Sequence, residues 1–405
     1  MASKGNNYIS YAQSLVYEPQ SMYLECGQAS RISIELKTLG TKRILIISKA
    51  ANLTGKNVTD FITNLEAAGF RIFTYKIKYN YSSSADILGA LGEYRGYNCD
   101  TIVVLGGSEE IFCAKMVSAM AVNNMKDPVE AEGYGKIKKD ISVLCCVGMD
   151  NSTAISSNIA EFRDENSGRW VTVMSEYLVP QIVVIDTDIA MKSLTLVSLC
   201  SAFDSLAMGV ECCLSPAADF NPSYKACAYN AISLVADNIL DMKDNPDDGY
   251  LRKKIAVAGV YAGMGIRFTG FGYSHLVTHA LKSVLGPDHG KYYCRILSKV
   301  LKGSMDLAAP RLAQIYDNLV RDEIRPGQPV MQGTPEPHYT VEQSAKAFLE
   351  LMDNLYEAAI PNDIPLPEIP KSEINGICSS IKSQAAEFGL VGMDEETLTR
   401  ILSLI

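Results

Sequence analysis

Histidine and tryptophan are the residues this chain uses least, with four histidines and one tryptophan in 405 residues. It also has no run of lysine and arginine, and its net charge is −9. Nucleic acid and anionic membrane surfaces both require clustered cations, so neither is expected as a partner. No apolar run reaches the ~18–20 residues of a membrane span, and the opening MASKGNNYISYAQSLVYEPQ contains no apolar signal core, so neither a membrane span nor export is expected. The eleven cysteines include no CxxC pair, and four of them form the doublets Cys145-Cys146 and Cys212-Cys213. That spacing makes neither a disulfide frame nor a zinc cluster and indicates buried, reduced thiols in a cytoplasmic protein. Internal repeats and low-complexity tracts are absent as well.

What is present is enough apolar residue, 47% of the chain, to build two cores. From Lys42 a rhythm of short β-branched runs and amphipathic stretches begins: KRILIIS, VTDFITNLEAAG, RIFTYKI, ADILGALGEYRG, TIVVLGG, IFCAKMVSAMAV and ISVLCCVG. Strands alternating with helices of this length predict βαβ units, a parallel sheet and a ligand crevice at the strand C-termini. MDNSTAISSNIAEFRDENSG reads as loop and hairpin, and QIVVIDTD closes this half. Beyond it, apolar residues recur at three and four spacing almost to the end of the chain. The expected organisation is a Rossmann-like α/β domain over residues 1–187 and an all-helical domain over 188–405.

Three of the four histidines fall within GYSHLVTHALKSVLGPDH, residues 272–289. His275 and His279 are four apart and project from one face of a helix, which Gly286 and Pro287 end just before His289. Neutral imidazole is the commonest metal ligand and a ready proton carrier, so three histidines this close predict a site. The fourth, His338, lies in the Pro/Gly-rich stretch 325–339 and reads as surface.

A βαβ half followed by a helical half with His-x3-His-x9-His resembles the iron-containing alcohol dehydrogenases, relatives of dehydroquinate synthase. Ordered landmarks carry the resemblance from about residue 20 to the end: Thr54-Gly55 after the first strand, Asn80-Tyr81-Ser82, LGGS, PQIVVIDTD, AFDSLAMGVE, NPSYKACAYNAI and AGMGIRF. It implies NAD(P)H-dependent interconversion of a small alcohol and its aldehyde or ketone, a divalent iron or zinc ion, and a dimer or larger homo-oligomer. Asp204, His275 and His289 take the places of metal ligands, with Met208 where the family has its fourth, a histidine. His279 takes the place of the histidine near nicotinamide and substrate, where it serves in proton relay.

The chain departs from the family at both charged sites. A thioether is a poor ligand for hard divalent ions, so Met208 weakens the metal set. On the cofactor side, Gly106, Gly107 and Ser152 remain as phosphate and ribose contacts and Ser108 stands in the place of the family's third glycine, with a Cβ where the phosphate approaches, but Glu109, Glu110 and Asp150 place negative charge where a pyrophosphate rests. Two like charges ~4 Å apart at an effective dielectric of 20 repel by about 4 kcal/mol. Lys49, at the end of the first strand, favours the 2′-phosphate of NADP over NAD. Two readings therefore stand: a divergent oxidoreductase, or a fold-retaining relative without the redox cofactor, acting as a non-redox enzyme or a non-catalytic partner subunit.

Overall fold

Arg43–Lys49 carries five fully buried residues in a row, the mark of a parallel strand covered on both faces. In the computed structural model this is the second strand of the chain. The structure describes residues 21–24, 31–139, 142–148, 151–190, 195–285, 292–322, 339–360, 366, 368–370, 372–387 and 393–405, so Asp150, Gly286-Pro287, His289 and His338 lie outside the described residues. In chain order come β1 (Ser21–Tyr23), α1 (Ile32–Thr38), β2 (Arg43–Lys49), α2 (Lys56–Ala67), β3 (Arg71–Ile77), α3 (Ser84–Gly96), β4 (Thr101–Gly106) and α4 (Ser108–Asn123). They are followed by β5 (Gly133–Tyr134), β6 (Val143–Gly148), β7 (Ile159–Arg163), β8 (Trp170–Met174) and β9 (Ile182–Ile185).

The main sheet has the order β1-β9-β6-β4-β2-β3, and every pairing in it is parallel. The chain runs outward from β2 to β3 and then returns to the other side of β2 with β4. This reversal opens a crevice beyond the strand C-termini, where Gly106 and Gly148 stand opposite each other. The expected hairpin is β7–β8, antiparallel, with Glu161 paired to Thr172 and Arg163 to Trp170. It projects from the main sheet and joins β5 in a small second sheet.

Every element after β9 is helical among the described residues: α5 (Thr187–Ala190), α6 (Thr195–Leu214), α7 (Pro222–Asp244), α8 (Gly249–Thr269), α9 (Tyr273–Ala280), α10 (Lys282–Leu285), α11 (Tyr293–Gly303), α12 (Met305–Asp322), α13 (Val341–Ala359), α14 (Ile374–Glu387) and α15 (Glu395–Leu404). The architecture is a parallel α/β half joined to a helical half. α6, the most apolar of these helices, packs against α7 and α8 in the helical core. Three details differ from the sequence expectation. The histidine helix stops at Ala280 and restarts at Lys282, the long run after Lys291 breaks at Ser304, and α14 falls in a Ser- and Gly-containing stretch not read as helix.

The halves meet where α8 crosses the segment between β6 and β7. A side chain at Gly263 would collide with Ser156 Oγ and the Thr153 carbonyl, so only glycine allows this approach. Ser156 Oγ donates to the Val260 carbonyl at 2.7 Å, and Arg267 Nε donates to the Ser156 carbonyl at 2.5 Å. From the opposite side, Lys115 Nζ on α4 donates to the carbonyls of Ser157 at 2.6 Å and Ile159 at 3.0 Å. The segment leading to Glu161 is thus clamped by both halves.

Lys115 is fully buried, and burial, with Arg267 adding to it, lowers its pKa to about 7. Above that value the unfolded chain holds a proton that the folded chain has released, so the stability linked to Lys115 rises with pH towards the ordinary lysine value. Lys115→Met should cost about 1–3 kcal/mol by stranding two buried carbonyls. Its deficit relative to the wild type, measured by urea unfolding, should widen from about pH 6.5 to about pH 9. A deficit independent of pH would contradict this assignment.

Candidate functional site at the interdomain cleft

A cleft of about 380 Å³ opens between the N-terminus of α4, the β7–β8 hairpin and helices α6 and α9. Its apolar walls include Phe112, Trp170 and Phe271, and its polar groups include Ser108, Asp204 and His275. Met208 lines the same space. Apolar walls with a few converging polar groups suit a small organic ligand.

At the floor lies a buried ionic cluster drawn from both halves. Glu161 on β7 is 5% exposed although its strand neighbours Ala160 and Phe162 are apolar, and it faces α9 and α10. Its Oε1 accepts from His275 Nε2 at 3.2 Å and also touches His279 Nε2, while its Oε2 accepts from Lys282 Nζ at 3.0 Å. Lys282 Nζ is 2.9 Å from His279 Nε2 and 4.5 Å from the centre of the Trp170 ring. His279 Nδ1 is 3.3 Å from the hydroxyl of Thr172, the residue paired with Glu161 across the hairpin. Neighbours across the β7–β8 ladder share one face, and here that face meets the histidine helix.

Burial by itself would raise the Glu161 carboxyl, but His279 and Lys282 outweigh it and hold the group well below the usual carboxylate range. Burial lowers the His279 pKa to about 3, and Lys282 and His275 add to that effect. Its imidazole is therefore neutral, with Nε2 set between the Lys282 ammonium and the Glu161 carboxylate and Nδ1 facing the Thr172 hydroxyl. Burial also lowers Lys282, and Glu161 opposes the shift. Asp204, across the cleft, is pushed up to about 7 by burial and then by the negative charges of Glu161 and Glu211.

Glu211 on α6 sets the position of α9. Its carboxylate accepts from the backbone N–H groups of Gly272 at 3.2 Å, Ser274 at 2.6 Å and His275 at 3.3 Å, and from the Tyr293 hydroxyl. A carboxylate on the free amides of a helix N-terminus satisfies donors that the helix cannot. Gly272 allows the contact, because any Cβ there would strike Glu211. The His275 ring then stacks on Phe271 at 3.7 Å.

At the other end of the cleft the phosphate-type loop is occupied by the chain's own carboxylate. Glu110 folds back from the third position of α4 so that Oε2 accepts from Gly107 N at 3.0 Å. Its Cδ is 2.5 Å from where a side chain on Gly106 would begin. Lys49 is 3.6 Å from Glu109 and 3.7 Å from Glu110. Burial raises Glu110, and Lys49 opposes that shift. The hydroxyls of Ser108 and Ser152 meet at 2.7 Å. The five residues expected at the cofactor thus converge, and a phosphate would have to displace Glu110 from Gly107.

Among the described residues the fit to a divalent metal is poor. Among the described residues the one group of three close donors is Glu161, His275 and His279, which shares only His275 with the expected ligand set. Asp204 and Met208 line the cleft outside this group. An ion bound by Glu161 and His279 would stand within a few ångströms of the Lys282 ammonium, and a divalent charge ~4 Å from a unit charge is repelled by about 8 kcal/mol at an effective dielectric of 20. Sequence reasoning missed Glu161, Lys282 and Glu211. The available signal was a charge set among apolar neighbours in IAEF, ALKSVL and AMGVECC.

Residues 19–187 match the family described as "Iron-containing alcohol dehydrogenase", and residues 199–371 match "Fe-containing alcohol dehydrogenase family, C-terminal". Similar curated proteins include the NAD-dependent methanol dehydrogenase of Bacillus methanolicus, 21% identical over 67% of this chain and 71% of that protein. Alcohol dehydrogenase 4 of Schizosaccharomyces pombe is 24% identical over 71% of this chain and 68% of its own length. Among solved structures, a 1,3-propanediol oxidoreductase superposes with a TM-score of 0.83 at 17% identity, covering 96% of this chain and 99% of that one.

Glu211→Ala removes the acceptor for α9 and leaves buried donors unmet. It should lower unfolding stability by about 2–4 kcal/mol, whereas Tyr293→Phe, which removes one hydrogen bond to the same carboxylate, should lower it by about 1–2 kcal/mol. Urea unfolding checks both, and equal stability of Glu211→Ala and wild type would remove Glu211 from this role.

Proposed function

This chain belongs to the iron-containing alcohol dehydrogenase family, and from that membership together with the cleft we propose that it is an oxidoreductase interconverting a small alcohol and its aldehyde or ketone. The observation that carries the proposal is the Glu161–His275–His279–Lys282 cluster, a buried proton-handling group facing a cleft of small-molecule size. A nicotinamide dinucleotide, when bound, supplies or accepts the hydride. Lys49, at the end of β2, favours NADP(H) through the 2′-phosphate.

The residues of this chain then have definite tasks. Trp170, Phe112 and Phe271 hold the carbon skeleton and exclude water, which strengthens every polar interaction beside it. Reduction of a carbonyl leaves an alkoxide that needs one proton, and oxidation of an alcohol releases one. Lys282, Glu161 and His275 form a continuous chain of donors and acceptors from the protein interior to the cleft wall, with His279 Nε2 against both Lys282 and Glu161. His275, the imidazole exposed to the cleft, is the terminal group of that chain, and His279 behind it orients Lys282 and Glu161. No step is routed through a metal ion, because Lys282 stands against the donors that would hold one.

The second reading, a relative without the redox cofactor, is favoured by the Glu110 carboxylate on Gly107 N. The sole tryptophan lies in the cleft wall, so its emission reports ligand binding directly. The first reading predicts saturable NADPH binding that tightens about tenfold in Glu110→Gln, which keeps the Gly107 hydrogen bond and removes the charge. With a reducible aldehyde found by screening, His279→Gln should lower kcat roughly 100-fold with little change in KM. Failure of both wild type and Glu110→Gln to bind NADPH or NADH would overturn the oxidoreductase reading and leave the second.

A further inference from the structure

We propose that Lys282 is the resident cation of this site, holding Glu161 and His279 by its ammonium group in the way a divalent ion would, so that the folded protein neither needs nor retains a catalytic metal. Three observations on different residues support this. Lys282 Nζ lies 3.0 Å from Glu161 Oε2 and 2.9 Å from His279 Nε2, which belong to two of the three donors able to converge on one ion. Its side chain is 1% exposed and its ammonium lies 4.5 Å from the centre of the Trp170 ring, so it is fixed from three sides and has no route into solvent. On α6, the position expected to complete a metal set holds the thioether of Met208, a weak ligand for hard divalent ions.

The three contacts make Lys282 more than a neutralising charge. A divalent ion orients its ligands by withdrawing lone pairs along fixed directions. Here the ammonium donates to the carboxylate and stands at hydrogen-bond distance from the imidazole nitrogen, with the indole face on its remaining side. Glu161 on the sheet half and His279 on the helical half are thereby held together without an exchangeable ion. The site is closed to metals by chemistry internal to the chain, and its geometry is unaffected by chelators. This inference does not depend on the nicotinamide reading, because metal content and thermal stability are measured without turnover.

The test uses the purified full chain. Elemental analysis of wild type should find iron, zinc, cobalt and nickel each well below one per chain, and neither EDTA nor added Zn²⁺ or Co²⁺ should move Tm. Lys282→Ala removes the cation and leaves room beside Glu161, His275 and His279. It should acquire Co²⁺ with visible absorption bands, show a Tm raised by the metal, and bind at least tenfold more tightly than wild type. Lys282→Arg, which keeps a positive charge at the position, should remain metal-free. Near-stoichiometric iron or zinc in wild type, or a fall in its Tm with EDTA, would overturn the proposal whether or not the variants fold. So would a folded Lys282→Ala that binds Co²⁺ no better than wild type.

Discussion

The contact between Glu161 and Lys282 joins the two halves of the molecule beside the cleft, where Glu161 forms part of its lining. One partner comes from a hairpin of the sheet half and the other from a short helix of the helical half, 121 residues apart in sequence. Both are buried, and a buried pair repays desolvation only when further hydrogen bonds satisfy each group. Here they do: His275 donates to the carboxylate, and His279 and the Trp170 ring complete the ammonium. The clamp on residues 156–159 by Lys115 and Arg267, and the seating of α9 on Glu211, fix the elements on which this contact depends.

A related arrangement occurs at the opposite end of the crevice. The N-terminus of α4 points its free amides at the place where an anion would rest, and Glu110 supplies one from within, with Lys49 as its counter-charge. At both ends of the cleft a carboxylate of the chain is thus met by a lysine of the chain. For a ligand these ends differ. Glu110 lies on a helix terminus beside a half-exposed lysine, so an incoming phosphate competes with it locally. Lys282 is sealed behind Glu161 and Trp170, so a metal ion would have to break the link between the two halves.

Much of the fold was legible because its signals are local. Buried parallel strands such as Arg43–Lys49 and Thr101–Gly106 are unbroken apolar runs, and their alternation with amphipathic helices leaves few other arrangements. α14 is weak in local propensity, with Gly376 and several serines, but Ile374, Ile377, Cys378 and Ile381 keep the three-and-four spacing that packs it in the helical core. The histidines stood out by rarity and by their spacing of four. Glu161 and Lys282 did not, because each is a single charge in an apolar segment, and only the fold shows that the two segments meet. The spacing of three between His279 and Lys282 was visible, yet nothing local distinguishes a lysine turned inward from one on the surface.

The central claim is that Glu161 and Lys282 stabilise the folded chain as a coupled pair between its halves. A double-mutant cycle of Glu161→Gln and Lys282→Met, read by urea unfolding, tests it most directly. Each single variant leaves an unpaired buried charge and should lose about 3–5 kcal/mol. The double variant should lose clearly less than the sum of the two, giving a coupling energy of about 1.5 kcal/mol or more. Losses that simply add would contradict the account, because the two groups would then be stabilised by their separate surroundings and not by each other.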